Sequence, residues 1–335
     1  MTKRAIVAAG LIAVGCAALV WTVRPRGSSV PAPAGPGFVH QGRTIQDWVN
    51  SVSMANKDQN PEIQSVVAIG APAVPYLVQR LQDRSSSLTR SPLYRAAWFA
   101  LPGRLQRSLR PPADPRQVEQ QKISSVAYTL GLIGPEAKVA VPVLTQVAGD
   151  RRLRNNTRLF AVQALGQIGP SAQSAVPVLV SCLKDDHKRL RRECGRYDDI
   201  GNVDRKTRDQ YADREDLELR TVAAGALGRI GVPEPRAREP LTLLLGATNA
   251  RAKCSAAVAL WRMDGCQSNR DVVFGLLQSS NLALRRSTTL SLGHIGEPAA
   301  CFVPVLRTML DETNDLRHTA EFALSRIQIS SSTNQ

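Results

Sequence analysis

Aromatic residues, cysteine and acidic charge are all scarce in this chain of 335 residues. Phe, Trp and Tyr together make up 4% of it, and six cysteines are too few for a disulfide-stabilised miniprotein. A single uncharged apolar run is long enough to cross a bilayer, which excludes a polytopic membrane protein. The hydrophobic content of 43% is nevertheless enough for a sizeable core, so the chain as a whole is not disordered.

Basic residues outnumber acidic ones by 43 to 28, which gives a formal net charge of +15. This excess favours anionic partners but says nothing about the fold. It is concentrated early in the chain, since nine basic and three acidic residues lie between Arg80 and Lys122. Four more arginines follow soon after: Arg151, Arg152, Arg154 and Arg158. A nucleic-acid-binding stripe is therefore one interpretation, although arginines spread over solvated faces are the simpler one.

Residues 1–25 are interpreted as an N-terminal membrane anchor or signal sequence. Residues 5–23 carry no charge and, as a helix, would span about 28 Å. An uncleaved anchor is favoured over a signal peptide cleaved near Ala34 and over a lipoprotein modified at Cys16. Because equal numbers of basic residues lie on both sides of this run, their charge barely decides its orientation in the membrane. A short basic N terminus, however, usually stays in the cytoplasm. We therefore expect a single-pass membrane protein with a cytoplasmic N terminus and a periplasmic repeat domain.

The dominant feature of the sequence is an internal repeat of about 33 residues. The motif Ala-x-x-Ala-Leu-Gly-x-Ile-Gly occurs at 161–169 and 223–231, and looser copies occur elsewhere. The residue at its second-last position is used below as the marker of each unit: Ile69, Ile133, Ile168, Ile230, Met263, Ile295 and Ile327. Successive markers are 64, 35, 62, 33, 32 and 32 residues apart. The two long gaps are about twice the short ones, and the first contains a degraded copy at 95–101.

Each unit is predicted to be a pair of helices. The first helix begins near a proline, such as Pro142, Pro177, Pro240 or Pro304, because proline is tolerated in an opening turn. The second helix carries the alanines and leucine of the motif and ends at its last glycine. A helix pair cannot bury its apolar face alone, so the units are expected to stack. The sequence thus predicts an all-α solenoid of seven to eight units.

The motif and its spacing resemble the HEAT repeat of the short bacterial type, also called PBS-lyase HEAT-like. The resemblance covers residues 61–329, and residues 42–49 are similar to a segment that often opens membrane-anchored bacterial proteins of this kind. It implies a scaffold that binds proteins on a curved helical surface. A minority of the family attach bilins to phycobiliproteins, and others bind DNA.

The predicted organisation has three parts after the anchor or signal sequence. A linker rich in Pro, Gly and Ser occupies 26–40, the repeat solenoid occupies 41–329, and a polar tail occupies 330–335. Within the solenoid, a highly charged insertion at 187–216 interrupts the pattern. Because this insertion has few apolar residues, it is interpreted as a solvated insertion or a decayed repeat, with a partner-binding loop as the alternative.

A basic residue recurs ten positions before the marker in five units, as Arg158, Arg220, Lys253, Arg285 and Arg317. A fixed offset of this kind is more typical of hydrogen bonds to carbonyls or carboxylates of the neighbouring unit than of ligand binding. We therefore expect a structural role for this row.

Candidate catalytic, cofactor-binding and metal-binding residues are not found. Cys182, His187 and Cys194 lie near one another but lack a fourth ligand and the paired spacing of a zinc site. Cys254 and Cys266 would lie about 18 Å apart along a helix, too far for a disulfide. His40, His294 and His318 are isolated, and His294 is expected at the surface in the variable position of its motif.

The favoured function is a membrane-tethered scaffold that binds protein partners on its concave face, without enzymatic activity. The aromatic candidates for contact residues are Trp48, Trp98, Phe99, Phe160 and Trp261. Nucleic-acid or anionic-polymer binding through the basic early units is the alternative, and a lyase-like enzyme is a remote one that rests on family analogy. Neither a cofactor nor a small-molecule substrate is indicated.

Overall fold

The computed structural model of the chain describes residues 39–53, 60–82, 115–184, 205–312 and 314–332. Two short strands, β1 (Val39–His40) and β2 (Arg43–Thr44), pair in an antiparallel hairpin. The helices that follow are α1 (Ile45–Ser51), α2 (Pro61–Ile69), α3 (Val74–Gln82), α4 (Pro115–Ile133), α5 (Val141–Gly149), α6 (Asn155–Ile168), α7 (Val176–Lys184), α8 (Arg205–Ile230), α9 (Pro235–Leu245), α10 (Ala250–Asp264), α11 (Gln267–Leu277), α12 (Leu282–Ile295), α13 (Val303–Thr308) and α14 (Asn314–Ser332).

These helices form seven consecutive pairs, and the second helix of each pair carries a repeat marker. The second helices, α2, α4, α6, α8, α10, α12 and α14, pack side by side in chain order. Every pair therefore covers the apolar face of its neighbour, as a stacked repeat requires. The predicted all-α, solenoid-like architecture is confirmed for the described part of the chain, apart from the small hairpin at its start.

The first long gap between markers does not add a unit to the stack between α2 and α4. These two helices contact each other directly. The backbone N–H of Ala71, just after α2, donates a hydrogen bond of 3.0 Å to a carboxylate oxygen of Glu136, just after α4. The degraded copy at 95–101 lies outside the described residues.

The second long gap is accounted for partly by the length of α8. This helix of 26 residues begins at Arg205, inside the charged segment predicted as an insertion at 187–216. Mixed charges can support a helix when opposite signs lie four residues apart. Two such ion pairs occur here, Arg214 with Glu218 at 3.5 Å and Arg220 with Asp216 at 3.8 Å. Residues 205–216 are therefore helical, and residues 187–204 lie outside the described part.

Glycine ends six of the seven second helices. Gly169 follows Ile168 with φ of 74°, a left-handed conformation that side chains rarely adopt. The chain then turns through a short 3₁₀ segment, Gly169–Ala175, into α7. Proline lies in the first turn of α5 and α13, as predicted for Pro142 and Pro304. Pro240 differs, since it lies inside α9, which begins five residues earlier at Pro235.

The buried side chains form two clusters that meet on opposite faces of α10. The first cluster runs from Ile45 to Met263, and the second runs from Ala257 to Ile327. Trp261 belongs to the second cluster, where its ring packs edge-on against Phe302 with centroids 4.9 Å apart. Phe160 and Trp48 are also buried. These three aromatic candidates for partner contacts are core residues, while Trp98 and Phe99 lie outside the described residues.

The predicted single-pass membrane localisation is contradicted. Across the described ranges between residues 39 and 332, no helix is both long and apolar enough to cross a membrane. The longest, α8, opens with a run of charged residues. The predicted anchor, residues 5–23, and most of the predicted linker 26–40 lie outside the described residues. Strand β1 occupies the last two positions of the predicted linker, residues 39 and 40. Helix α14 extends to Ser332, which lies inside the predicted polar tail.

Candidate binding groove

The inner surface of the stack contains a groove formed by four successive second helices, α6, α8, α10 and α12. Its volume is about 360 Å³. Helices α8 and α12 also contact each other although α10 lies between them in chain order, which shows that this surface is strongly concave. The lining residues are Gln163, Gln167, Thr221, Val222, Gly225, Gly228, Arg229, Arg251, Ser255, Val258, Ser287, Leu290, Ser291, His294 and Ile295.

One position of the repeat motif points into this groove in three units. It is the variable residue just before the marker, occupied by Gln167, Arg229 and His294. The surface position predicted for His294 is confirmed, because its side chain is partly solvent-exposed, while its ring also packs against Phe322. The curvature of the stack brings it near arginines from other units. The position that differs most between units is therefore the one that determines the chemistry of the groove.

Arg229 reaches across the boundary between two units. Its Nη1 atom would lie 3.5 Å from a Cβ built on Gly166, in the preceding second helix. The side chain is half-buried, and burial together with the charge of Arg251 lowers the pKa of Arg229 to about 10. Arg229 therefore remains protonated at neutral pH, but its charge is less stable than that of an exposed arginine.

His294 lies in the same positive environment. Its ring contacts Phe322 edge-on, with centroids 5.4 Å apart. Partial burial, followed by the charges of Arg229, Arg326 and Arg251, lowers the pKa of His294 to about 4. The imidazole is consequently neutral at pH 7, where it can donate one hydrogen bond and accept another.

The groove has no negative side chain to balance these charges. None of the lining residues named above is Asp or Glu. The arginines that form ion pairs with acids in the described part of the chain are others, such as Arg238 with Asp264 and Arg285 with Glu312. A concave surface with two unbalanced guanidinium groups, several hydroxyl and amide groups and a neutral imidazole is suited to binding an anion.

The recurring basic row has a different, structural role. Arg158 is fully buried and donates three hydrogen bonds: from Nε to the carbonyl of Ala148 at 2.8 Å, from Nη1 to Asn155 Oδ1 at 3.2 Å and from Nη2 to Cys182 Sγ at 3.4 Å. These bonds join α6 to the end of α5 and to α7 of the next pair.

Arg285 repeats this arrangement near the C terminus. Its Nε donates to the carbonyl of Leu277 at 3.0 Å, and its Nη1 donates to Glu312 Oε2 at 2.7 Å. The predicted bonding to a neighbouring unit is seen at Arg285, since Glu312 belongs to the next pair, whereas the carbonyls bound by Arg158 and Arg285 lie in the first helix of their own pair. Arg317 instead pairs within its own helix, with Glu321 at 3.5 Å.

The remaining sequence candidates do not form a reactive site. Cys254, Cys266 and Cys301 are free thiols, and the buried Cys182 lies 3.4 Å from Arg158 Nη2. In the described ranges, no group of three potential metal ligands occurs, while His187 and Cys194 lie outside those ranges. The carbonyl of His40 accepts a hydrogen bond of 2.9 Å from Trp48 Nε1, which fixes the hairpin against α1. Sequence reasoning missed Arg251, because it lies outside the repeat motif.

The comparisons with known proteins agree with this architecture. The family model for HEAT repeats matches residues 120–195 and 238–325. The chain contains a HEAT-repeat domain. The two matched segments begin within α4 and α9 respectively, and the second extends into α14. No curated protein sequence matches the chain.

Two solved structures show a distant likeness to the HEAT-repeat chain. The complex of CpcE and CpcF of phycocyanin lyase from Nostoc sp. PCC7120 is 18% identical, with a TM-score of 0.43, and the alignment covers 90% of this chain and 99% of that one. Human deoxyhypusine hydroxylase in complex with glycerol is 19% identical, with a TM-score of 0.27, and the alignment covers 78% and 98%. The fold assignment rests on the repeat match and the helix pairs.

Proposed function

We propose that this chain is a HEAT-repeat protein-binding module whose partner occupies the inner groove. The groove on α6, α8, α10 and α12 is the observation that carries this proposal. Neighbouring helices pack about 8–10 Å apart, so a surface that crosses four of them suits an extended segment of another protein. The groove also combines apolar side chains with amides and hydroxyls, as protein interfaces do.

The residues of the groove support binding rather than catalysis. An enzyme of the hydrolytic or acyl-transfer type needs a nucleophile within hydrogen-bonding distance of a base that a third group orients. His294 is the sole imidazole among the groove-lining residues, and arginines rather than a carboxylate surround it. The proposal therefore assigns no catalytic step to this surface.

Nucleic-acid binding by the early units is less well supported than protein binding. Of the described basic residues there, Arg158 is buried in the stack, and Arg80 donates a hydrogen bond of 3.3 Å to the carbonyl of Val52. Arg151 and Arg152 are exposed, but they lie in one loop between α5 and α6. A phosphate-binding stripe would need such residues on several successive units, and six further arginines of the early units, between residues 84 and 110, lie outside the described residues.

Site-specific photo-crosslinking in the native cell tests this proposal. A benzophenone amino acid replaces Ser287 or Leu290 in the groove and, as matched controls, Val139 or Leu243, which are exposed outside it. We expect adducts of one defined mass from the groove positions but not from the controls. The adduct is identified by mass spectrometry, and its purified partner is titrated against the purified chain. Adducts from the control positions alone, or from none of the four, would reject the proposal.

A further inference from the structure

We propose that the groove recognises an acidic, carboxylate-rich segment of the partner, which Arg229 and Arg251 bind directly. This inference rests on the proposed function, because it concerns the same groove. It names the chemistry of the bound segment and the two residues that select it.

The two guanidinium groups of the groove lie on neighbouring second helices, α8 and α10. Arg229 extends from α8 to the helix surface at Gly166, where its Nη1 atom lies 3.5 Å from the position that a Cβ would take. Arg251 enters the groove from the first turn of α10. The two side chains thus come from neighbouring units and face one space, so a single extended ligand can contact both.

The described lining of the groove lacks a counter-charge for these two arginines. Two like charges in a partly buried groove repel each other, and an anion placed between them relieves this repulsion. No described residue that lines the groove supplies a carboxylate. Arginine presents a planar fork of donors that matches a carboxylate in two-point contact. A partner that carries glutamate or aspartate would supply the group that the groove lacks.

His294 lines the same groove as the two arginines. The charges that face this ring come from three helices: Arg229 on α8, Arg251 on α10 and Arg326 on α14. A neutral imidazole between these arginines can donate a hydrogen bond to a carboxylate without adding a further buried positive charge. The hydroxyl groups of Ser287 and Ser291 line the same wall of the groove. These groups would orient the segment while the arginines neutralise it.

The apolar residues of the groove favour a peptide over a nucleic acid. Val222, Val258 and Leu290 line it and can contact the side chains that alternate with carboxylates along an extended peptide. Single-stranded nucleic acids are held by aromatic side chains on which the bases stack. None of the groove-lining residues is Phe, Tyr or Trp. An oligonucleotide or free phosphate is accordingly the competing outcome of the test.

Isothermal titration of the full-length chain tests this inference with defined probes. The ligand is an acetylated and amidated hexaglutamate, and the neutral control is a peptide of alternating glutamine and alanine of the same length. Inorganic phosphate and an oligothymidylate of twelve nucleotides are titrated in parallel. We expect the hexaglutamate to bind, with an affinity that falls as salt increases, and the neutral peptide not to bind.

The decisive comparison is between two double variants with the same loss of charge. R229Q/R251Q removes the groove cations, and R152Q/R236Q removes two exposed arginines elsewhere. We expect the first to weaken hexaglutamate binding by at least about tenfold and the second to leave it within about twofold. A thermal melt of each variant checks the fold. Should R229Q/R251Q unfold, R251E replaces it, since Arg251 is exposed, and it is expected to abolish hexaglutamate binding.

Equal weakening in both double variants would reject the inference, because it would indicate diffuse attraction to a basic protein. Tighter binding of the oligonucleotide or of phosphate, or no binding of hexaglutamate at low salt, would reject it as well. These outcomes can be separated from failure of the proposed function. If Ser287 still crosslinks to a partner while hexaglutamate does not bind, the groove is a protein-binding surface with a different specificity.

Discussion

Gly166 of α6 lies so close to Ala226 of α8 that a Cβ added to it would be 2.9 Å from both the Cα and the Cβ of that alanine. The same contact recurs along the stack, since a Cβ on Gly293 would lie 2.9 Å from the Cα of Ala323. The glycine in Leu-Gly thus permits close packing of the second helices, whereas the glycine after the marker permits the turn. Two glycines of one motif serve different purposes.

This contact predicts that Gly166→Ala destabilises the protein. The added methyl group would overlap backbone as well as side-chain atoms of Ala226, and overpacking of a well-packed interface costs about 1–3 kcal/mol. The change should lower the urea midpoint of unfolding, measured by circular dichroism.

Gly275→Ala in α11 is the matched control. A Cβ added at Gly275 would have no heavy atom within 4 Å, apart from its chain neighbours and the nearby backbone of its own helix. There the same substitution is expected to stabilise the helix by about 0.5–1 kcal/mol. If Gly166→Ala were as stable as wild type, the helices could separate without cost, and the close contact would not contribute to stability.

Arg158→Ala should be strongly destabilising. The change removes three buried donors at once and leaves the carbonyl of Ala148 with only a weak contact of 3.7 Å from Cys182 Sγ. An unsatisfied buried acceptor costs about 1–3 kcal/mol, and the cavity left by the arginine adds to this cost. Urea unfolding of Arg158→Ala should therefore show a large decrease in the midpoint.

Arg152→Ala provides the corresponding control, because its side chain is exposed in the loop before α6. Its effect on the free energy of unfolding should stay within about 0.5 kcal/mol. Similar losses in both variants would mean that the hydrogen bonds of Arg158 are not a specific source of stability.

Most of the fold could be predicted from the sequence because the repeat constrains it. The marker spacing and the terminal glycines identify each second helix, and the recurring arginine identifies a bond that is now seen at Arg158 and Arg285. The marker spacing could not show how the long gaps are accommodated. A gap of two periods is compatible with a decayed unit or with a longer helix. In the second gap, the charged residues 205–216 form the first half of α8, which is longer than the other second helices.

The groove was less predictable, because it depends on curvature. The variable position of the motif indicates surface residues, but only the packing of α8 against α12 brings His294 near Arg229 and Arg251. Trp261 illustrates a second limit. It occupies the position of the close-packing glycine in its unit, and its ring turns instead into the second core cluster. The motif alone does not reveal this division of the core.

Three of the described thiols should differ in their dependence on pH. The hydroxyl of Ser268 lies 3.3 Å from Cys266 Sγ, and a hydrogen bond from it, followed by one from the backbone of Asn269, lowers the pKa of Cys266. Burial raises the pKa of Cys301. Because the thiolate is the reactive form, the labelling rate of Cys266 should rise at lower pH than that of Cys301. Iodoacetamide labelling followed by peptide mass spectrometry measures both.

Ser268→Ala tests the cause of this difference. Without the hydroxyl, the midpoint of the labelling profile of Cys266 should move to higher pH, while that of Cys301 stays where it was. Cys254, which is buried and whose pKa is raised by that burial, should label only when the protein unfolds. An unchanged Cys266 profile in Ser268→Ala would disprove the proposed role of the hydroxyl.

The imidazole of His294 should report on the charge of the groove. Its pKa of about 4 in the free protein reflects partial burial and three nearby arginines. Removing two of them in R229Q/R251Q should raise that pKa towards the ordinary value near 6.5. A bound hexaglutamate should raise it as well, because carboxylates offset the same charges. Proton NMR of the imidazole during an acid titration measures each value, and a midpoint near 6.5 in the free wild type would contradict the prediction.

The same depressed pKa predicts how His294 affects stability as the pH changes. Between pH 6.5 and 4 the unfolded chain binds a proton at this residue and the folded chain does not, so acidification favours unfolding. His294→Gln, which introduces the residue present at the equivalent Gln167, removes this contribution. The difference in unfolding free energy between variant and wild type should therefore shift in favour of the variant as the pH falls from 7 to 4, and should stop changing below pH 4. Urea unfolding at several pH values measures it, and a difference that is independent of pH would show that the folded protein does not suppress protonation of His294.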